Sequence, residues 1–356
     1  MRHAVIMAGG AGVRLWPLSR HSRPKQTLRM FDGSSLLRQA YERIRGLFPD
    51  ERIHVIANDA HVPLIRREIP ELGPLNVIGE PMGRDTANAV GLATSILKGR
   101  DSQAVVGIFT ADHIITPTEQ FHADINKAFD VAERHPDALI TLGVRPSRAD
   151  TNYGYIRRGT RLDNGVFEVE QFTEKPNMSS AMKYVAAGEY YWNSGMFVWK
   201  ADTILEQLRK NMPQSHTAIT SIAEAWGTRD QTAKLAATYP TLMRISIDFA
   251  VMEHADRVIV VELECHWVDV GSWPAIEAVI QADADGNVSA CEQVIHLGSR
   301  GNIVVSGEKH LIATIGVDDL VIVHSPDATL ICTKRDAQGI KELVDNVRQR
   351  YGEEYL

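Results

Sequence analysis

The sequence predicts an α/β fold built on a doubly wound mixed sheet, followed by a small β module. Over residues 4–144, short apolar runs alternate with segments that have apolar residues at helical spacing. Such alternation is typical of parallel strands joined by crossover helices. Two further apolar runs flank the turn at 163–165, which favours an antiparallel hairpin added to the parallel strands. Beyond residue 283, short apolar runs separated by turn residues predict the β module.

The first part of the chain is predicted to alternate between strands and helices. Predicted strands cover 4–7, 52–57, 75–78, 104–109 and 138–144. Predicted helices cover 34–47, 61–69, 86–97 and 121–135. In such sheets ligands bind at the carboxyl ends of the strands. The residues that follow the strands ending at 7 and 109 are therefore candidate ligand-binding residues.

The second part is predicted to hold a hairpin, four helices and one further strand before the β module. Strands are expected at 153–158, 167–172 and 258–262, and helices at 180–187, 201–211 and 215–225, with a further helix opening near Pro274. The β module has apolar runs at 303–306, 311–315, 320–324 and 329–333, and a closing helix at 340–351. We therefore predict two domains, 1–283 and 284–356.

Composition excludes several classes of protein. The chain has 356 residues and a net charge of -7, which argues against a general nucleic-acid binder. Its three cysteines, Cys265, Cys291 and Cys332, form no C-x-x-C pair and favour a reducing compartment. The start lacks the apolar core of a signal peptide, and no apolar run approaches the roughly 20 residues of a membrane span. We expect a cytoplasmic protein with no membrane partner.

The stretch after the first strand predicts a phosphate-binding loop. Glycines can adopt positive φ and let a ligand approach bare backbone, and successive N–H groups form a concave site for an anion. Arg14 adds a planar fork of donors that fits phosphate oxygens, and Lys25 adds a second, compact positive charge. The residues expected to contact the nucleotide here are Ala8, Gly9, Gly10 and Gly12.

This loop differs from two common phosphate-binding motifs and resembles a third. Leu15 stands where the dinucleotide fingerprint G-x-G-x-x-G needs glycine, and no Gly-Lys-Ser/Thr tripeptide follows. The whole string resembles the signature of sugar-1-phosphate nucleotidyltransferases. Its Arg-Leu-Trp-Pro-Leu-Ser-Arg version, followed by Pro-Lys-Gln, resembles the mannose-1-phosphate guanylyltransferase (GDP-mannose pyrophosphorylase) branch. The resemblance implies a Rossmann-like nucleotidyltransferase domain and a C-terminal left-handed β-helix.

The resemblance also implies a reaction between two anions. GTP and α-D-mannose 1-phosphate would give GDP-mannose and pyrophosphate, so the protein must supply positive charge and hold the reactants in line. Arg14, Lys25 and Asp112 are the expected catalytic residues. Asp112 and Asp269 each follow a strand-like run and match the family's metal-binding positions, so we expect them to bind Mg²⁺. A lone Asp after a strand is otherwise most often a cap or turn residue.

Two further segments resemble the family's substrate-binding motifs. For the sugar phosphate, the resemblance selects Gly154, Glu174, Lys175 and Asn193. Lys175 would bind the phosphate, Glu174 would accept hydrogen bonds from sugar hydroxyls, and Asn193 suits a hydroxyl because it both donates and accepts. Without the resemblance, Glu174 and Lys175 would be read as an ordinary surface ion pair.

For the base, Glu80 and Thr86 are the expected contacts. A carboxylate can accept both donors of the guanine edge, N1–H and N2–H₂, which thymine and uracil lack. The segment departs from the family pattern, which has Asn at the position of Asp85 and Pro at that of Asn88. Asp85 close to a triphosphate would be repulsive unless it caps the helix or faces away.

The expected partners are GTP, mannose 1-phosphate and a second copy of the chain in a homodimer. Two alternatives stay open. One is the same fold acting on another nucleotide and sugar 1-phosphate, and the other is a regulatory paralogue that binds a nucleotide sugar without turnover. The second would be marked by loss of Arg14, Lys25, Asp112 or Asp269, all of which are present.

Overall fold

A computed structural model describes residues 1–10, 12–31 and 33–356. Ala11, which belongs to the glycine-rich stretch, and Asp32 lie outside the described residues. The chain forms two compact units, each assembled from three segments. Unit 1 comprises Met1–Gly9, Arg43–Thr110 and Thr116–His266, and unit 2 comprises Gly10–Glu42, Ala111–Ile115 and Trp267–Leu356. These units follow different boundaries from the division at residue 283, which stays a prediction.

The strands and α-helices are numbered in chain order. The strands are β1 (Arg2–Met7), β2 (Ile53–Asn58), β3 (Val77–Glu80), β4 (Val105–Thr110), β5 (His113–Thr116), β6 (Leu139–Val144), β7 (Tyr155–Asp163), β8 (Val166–Thr173), β9 (Tyr190–Lys200), β10 (Val258–Leu263), β11 (His266–Asp269), β12 (Val288–Ala290), β13 (Gln293–Leu297), β14 (Ile303–Ser306), β15 (Leu311–Ile315), β16 (Leu320–His324) and β17 (Thr329–Thr333). The helices are α1 (Leu36–Arg45), α2 (Val62–Glu68), α3 (Asp85–Arg100), α4 (Thr118–Arg134), α5 (Met178–Ala187), α6 (Ala201–Asn211), α7 (Pro213–Glu224), α8 (Gln231–Thr238) and α9 (Ile340–Tyr351).

Unit 1 contains a nine-stranded mixed sheet in the order β3-β2-β1-β4-β9-β6-β10-β8-β7. The strands β3, β2, β1 and β4 run parallel, as their alternation with helices predicts. β9 pairs antiparallel with β4 and β6 and makes the sheet mixed, while β7 and β8 add the predicted hairpin. The predicted mixed α/β sheet is therefore confirmed.

Strand β9 lies in the middle of this sheet although no element is predicted over 191–197. Asn193 and Gly195 interrupt the apolar run, which weakens the strand signal. The remainder of the strand is nevertheless buried, with Trp199 and Met196 fully inaccessible. Burial of this apolar surface, roughly 25 cal/mol per Å², favours the central position in the sheet.

Helices α3, α6 and α7 pack together over the core of unit 1. Gly91 makes this possible, because a Cβ there would lie 3.0 Å from both Ile219 of α7 and Leu208 of α6. The helix therefore presents bare backbone where its two neighbours approach. This packing holds the middle of α3, whose first turn contains Thr86 of the predicted base-binding segment.

Unit 2 contains stacked parallel strands. β12, β14 and β16 are parallel neighbours, β17 joins β16 in the antiparallel direction, and β13 pairs in parallel with β15. Between successive turns, the buried side chains of Asn287 and Asn302 accept hydrogen bonds from the backbone N–H groups of Asn302 and Leu320, at 3.0 Å each. The predicted β-helix module is confirmed in this arrangement. The helix expected near Pro274 is a 3₁₀ helix, Trp273–Ala278.

Candidate active site

The glycine loop has the backbone that its sequence requires. Gly10 has φ 105° and Gly12 has φ 60°, values that non-glycine residues rarely adopt. The Ser19 hydroxyl donates to the Gly12 carbonyl at 2.7 Å, and the Leu15 N–H donates to the same carbonyl at 2.8 Å. The Gly12 carbonyl therefore closes the segment that contains Arg14, because both donors follow Arg14 in the chain. Ala8 and Gly9 belong to unit 1, where the Ala8 N–H donates to the Ile56 carbonyl at 2.9 Å.

Gly12 is also the point where Lys25 approaches the loop. A Cβ on Gly12 would lie 2.5 Å from the Cβ of Lys25, so no larger residue fits without displacing that side chain. The Lys25 ammonium forms an ion pair with the Asp112 carboxylate, and the two side chains are only 15% and 14% exposed. The pair is thus largely shielded from solvent. In such a shielded site the attraction between two opposite charges is stronger than in water.

Asp269 and Arg14 both approach the position where Gly271, in unit 2, has no side chain. A Cβ placed on Gly271 would be 3.1 Å from Arg14 Nη2 and 3.1 Å from Asp269 Oδ1. Asp269 is the last residue of β11, which pairs with β5, and the next N–H, that of Val270, donates to the Asp112 carbonyl at 3.2 Å. The two predicted metal ligands therefore come from adjacent backbone, and we call Arg14, Lys25, Asp112 and Asp269 the charge cluster.

The charges of the cluster act on one another. Burial lowers the pKa of Lys25, but the negative charges of Asp112 and Asp269 outweigh burial, so the pKa is raised. Burial by itself raises the pKa of Asp112, yet the Lys25 and His113 charges and the Lys25 hydrogen bond hold it below its usual value. Both groups are accordingly charged at neutral pH, and the cluster combines two cations with two carboxylates.

The carboxylates of the cluster fit a magnesium ion. Mg²⁺ prefers oxygen ligands and commonly takes only one or two carboxylates from protein, completing its shell with water and substrate phosphate. Asp112 and Asp269 supply two such carboxylates. Among the described residues, no group of three or more His, Cys, Asp and Glu side chains could hold a metal ion. Two carboxylates leave the other positions around such an ion to water and substrate phosphate.

The predicted base-binding segment lies in unit 1. Glu80, the last residue of β3, is buried, and its Oε1 accepts a hydrogen bond from the equally buried Tyr239 hydroxyl. Burial raises the pKa of Glu80 to about 7, with the Asp85 charge in the same direction and the Tyr239 bond opposing it. The Thr86 hydroxyl accepts from the Ile247 N–H at 2.8 Å, so it fastens the segment after Tyr239 to the start of α3.

Both departures from the family pattern have a structural role here. Asp85 is the first residue of α3 and has φ 65°, and its carboxylate accepts from the adjacent Thr86 N–H at 2.9 Å. The N-cap position belongs to Arg84, so Asp85 bonds within the first turn and does not cap the helix. Asn88 is fully buried, and its amide donates to the carbonyls of Arg84 and Met243 at 2.8 Å each. Asn88 thus makes a cross-link that a proline would lack.

The predicted sugar-phosphate residues form a second group in unit 1. A Cβ on Gly154 would collide with Glu174 Oε2 and would lie 3.3 Å from Asn193 Cβ, so the missing side chain lets all three converge. The Gly154 carbonyl accepts from the Asn193 N–H at 2.8 Å. Lys175, with φ 47°, is 57% exposed and pairs with the Glu174 carboxylate, whose side chain is 6% exposed. The structure brings these four residues together.

Asp248 also belongs to this group, although nothing in the sequence singles it out. Its Oδ1 accepts a hydrogen bond from Asn193 Nδ2 at 2.7 Å. Burial raises the pKa of Asp248 to about 7, and the neighbouring Glu174 charge adds to the shift. The signal that could have found it is weak, a single acid between the apolar residues Ile247 and Phe249. We call Gly154, Glu174, Asn193 and Asp248 the sugar-site group.

The signature residues after Arg14 are fixed by the last residues of the chain. The Trp16 indole N–H donates to the Tyr355 carbonyl at 2.8 Å, and the Arg20 guanidinium donates to the same carbonyl. Arg20 also forms an ion pair with Asp327 at 2.6 Å. The Trp273 indole donates to the Trp16 carbonyl at 3.0 Å. These residues therefore hold the loop that carries Arg14.

The chain belongs to the nucleotidyl transferase family. The family model for nucleotidyl transferases matches residues 3–286, and a second model, a mannose phosphate isomerase/GMP-like β-helix domain, matches residues 292–347.

The chain is also similar, over nearly its whole length, to individual proteins of known name. Mannose-1-phosphate guanylyltransferase from Klebsiella pneumoniae is 37% identical over 359 residues, which cover 99% of this chain and 75% of that protein. The enzyme of the same name from Escherichia coli strain K12 is 37% identical over 360 residues, covering 97% and 73%. The crystal structure described as a mannose-1-phosphate geranyltransferase from Thermus thermophilus has a TM-score of 0.88 and 34% identity, covering 98% of this chain and 99% of that one. No helix among the described residues is long and apolar enough to cross a membrane.

Proposed function

We propose that the protein transfers the guanylyl group of GTP to α-D-mannose 1-phosphate. A phosphate oxygen of the sugar phosphate attacks the α-phosphorus of GTP, the bond from that phosphorus to the bridging oxygen breaks, and pyrophosphate leaves with GDP-mannose as the other product. The observation that carries the proposal is the charge cluster, which places two cations for phosphate oxygens beside two carboxylates that could hold a divalent cation. The names of the relatives support the choice of substrates.

In this reaction the charge cluster handles the phosphates of the nucleotide. The bare backbone of Gly9, Gly10 and Gly12 lets the phosphates approach without a side chain in between, and Ala8 before it is small. Arg14 and Lys25 stabilise the charge that moves to the leaving pyrophosphate, and such preorganised groups are typically the largest catalytic contribution. Asp112 and Asp269 would hold Mg²⁺, which neutralises phosphate charge when bound. The sugar phosphate is already an adequate nucleophile, so no protein base is required.

The base is read by Glu80 in this proposal. One oxygen accepts from Tyr239, but a carboxylate has about four lone-pair sites, which leaves room for the two donors of guanine. Thr86 takes a supporting part, since its hydroxyl already holds the Ile247 N–H. The proposed base contact therefore depends on Glu80 being ionised.

The sugar phosphate is bound by Lys175 and by the sugar-site group. The exposed Lys175 ammonium meets the phosphate, while Glu174 accepts from hydroxyls of the ring. Gly154 leaves space for that carboxylate. Asn193 supports the site from β9.

The wider setting is proposed from the sequence. We propose a cytoplasmic homodimer, with a catalytic domain over 1–283 and the β module over 284–356. The scattered cysteines support the location, and the family matches over 3–286 and 292–347 support the division. Sedimentation of the purified chain measures the assembly directly.

Pyrophosphate release tests the proposal. The purified protein is assayed with GTP, ATP, UTP and dTTP, each against mannose 1-phosphate, glucose 1-phosphate and galactose 1-phosphate in the presence of Mg²⁺. We expect the highest kcat/KM with GTP and mannose 1-phosphate. A clear preference for another pair would assign a different nucleotide sugar, and no release with any pair would favour the regulatory paralogue.

A further inference from the structure

Asp248 begins an unusual stretch of backbone in unit 1. The residues Asp248–Met252 form a π-helical turn, a rare conformation that is frequent at functional sites. The turn is anchored just before Asp248, because the Ile247 N–H donates to Thr86 and the Ala87 N–H donates to the Ile245 carbonyl at 3.2 Å. The position of Asp248 is therefore set by the start of α3.

Asn193 is already committed within the protein and holds Asp248 in place. Its Oδ1 accepts from the Gly195 N–H at 3.0 Å, and its Nδ2 donates to Asp248 at 2.7 Å. Reversing the amide would set an oxygen against the Asp248 carboxylate, so both contacts fix one orientation. Asn193 is accordingly a positioning residue, and Asp248 is the group that it positions.

Glu174 supplies the second observation that indicates a ligand. Its Oε1 pairs with Lys175, whereas its Oε2 is buried and has no hydrogen-bond partner within the part of the chain that the structure describes. A buried acceptor without a donor is costly, by about 1–3 kcal/mol or more when charged. A ligand hydroxyl would supply the missing donor. Glu174 Oε2 and Asn193 both approach Gly154, and Asn193 in turn binds Asp248, so the two acids lie on either side of one small group of residues.

We propose that Asp248 binds a ring hydroxyl of the sugar 1-phosphate and, with Glu174, determines which sugar the enzyme accepts. This inference rests on the proposed function, because it concerns the same sugar site. A hydroxyl can donate to one group and accept from another, so two carboxyl groups on separate elements suit two hydroxyls of a pyranose. A sugar that lacks one of these hydroxyls leaves a buried polar group unpaired, which is an effective basis for discrimination.

The test compares Asp248→Ala and Asp248→Asn with the wild type and with a control, Asp256→Asn. Asp256 pairs with Lys210 at 2.5 Å on the exposed surface of the same unit, where its side chain is 60% exposed. We expect Asp248→Ala to raise the KM for mannose 1-phosphate about 10- to 100-fold, the range for loss of a hydrogen bond to a charged group, and to leave the KM for GTP unchanged. Asp248→Asn preserves the shape and should give a smaller rise.

Deoxy analogues of mannose 1-phosphate separate binding from a structural role. The analogue that lacks the hydroxyl bound by Asp248 should be used equally by wild type and Asp248→Ala, whereas the other analogues should show the full loss. An equal loss on every analogue, or a parallel rise in the KM for GTP in a folded Asp248→Asn protein, overturns the inference. If wild type releases no pyrophosphate with any pair, the proposed function fails. Calorimetric binding of mannose 1-phosphate to wild type and Asp248→Ala then decides the inference separately, with equal affinities overturning it.

Discussion

Replacing Lys25 by methionine removes the ammonium from the charge cluster and retains most of the side-chain volume. Its Asp112 partner is only 14% exposed and would be left without its counter-charge. Removing one partner of a buried ion pair costs about 3–5 kcal/mol of unfolding free energy, and the residual exposure favours the lower end, about 3. Removing one preorganised charge-stabilising group costs about 2.7–4 kcal/mol of transition-state stabilisation, or about 10²- to 10³-fold in kcat.

Two measurements check these values. Initial rates of pyrophosphate release give kcat/KM, and urea unfolding gives the free energy of unfolding, both with and without Mg²⁺. We expect Mg²⁺ to recover part of the lost stability, because a divalent cation replaces the missing positive charge beside Asp112 and Asp269. Lys98→Met is the matched control, since Lys98 pairs with Asp202 at a surface site where its side chain is 41% exposed. A Lys25→Met enzyme within threefold of wild type in kcat/KM refutes the assignment of the cluster.

Three further changes test other parts of the account. Gly12→Ala places a Cβ against Lys25 at a residue with φ 60°, so kcat/KM should fall at least ~10-fold in steady-state assays. Gly99→Ala on α3 is the control, because a Cβ there meets no atom within 4 Å. Tyr239→Phe removes the hydrogen bond that lowers the pKa of Glu80, so a larger fraction of Glu80 is protonated at pH 7.5. The KM for GTP should then rise about 5- to 10-fold, whereas the KM for mannose 1-phosphate should stay constant. Unchanged selectivity between GTP and ITP in that variant would argue against Glu80 as the base contact. The pKa of Asp248 is raised from 3.8 to about 7 in the folded state, so the contribution of this group to wild-type stability falls as pH rises from about 4 to 7. Asp248→Asn should therefore have a free energy of unfolding about 1–4 kcal/mol above that of wild type at pH 8, as measured by urea unfolding. This difference should disappear at pH 4.

Local sequence determines the parts of this structure that prediction reached. β1 and the glycine loop follow from an apolar run and from residues that must adopt positive φ, and both are properties of neighbouring residues. Apolar runs and the turn residues between them also predict the mixed sheet and the β module. The family resemblance adds that the module is a β-helix.

Tertiary contacts account for what prediction missed. The pairing of Lys25 with Asp112 joins segments far apart in sequence, so the residues could be selected but their contact could not be derived. Tyr239 as the partner of Glu80 has no pattern around it, and it tunes the carboxylate only because both are buried. Asp248 depends on a π-helical turn, which has no recognisable sequence signature. Strand β9 was missed because its polar residues, including Asn193, serve the site rather than the strand.

The roles assigned to the two groups of residues can be separated by equilibrium binding. Isothermal titration of GTP, with and without Mg²⁺, is compared between wild type and the double variant Asp112→Asn/Asp269→Asn, and mannose 1-phosphate is titrated into both. We predict that Mg²⁺ tightens GTP binding at least ~10-fold in wild type, that the double variant shows no such effect, and that both bind mannose 1-phosphate equally. Retention of the Mg²⁺ effect in the double variant would contradict the account.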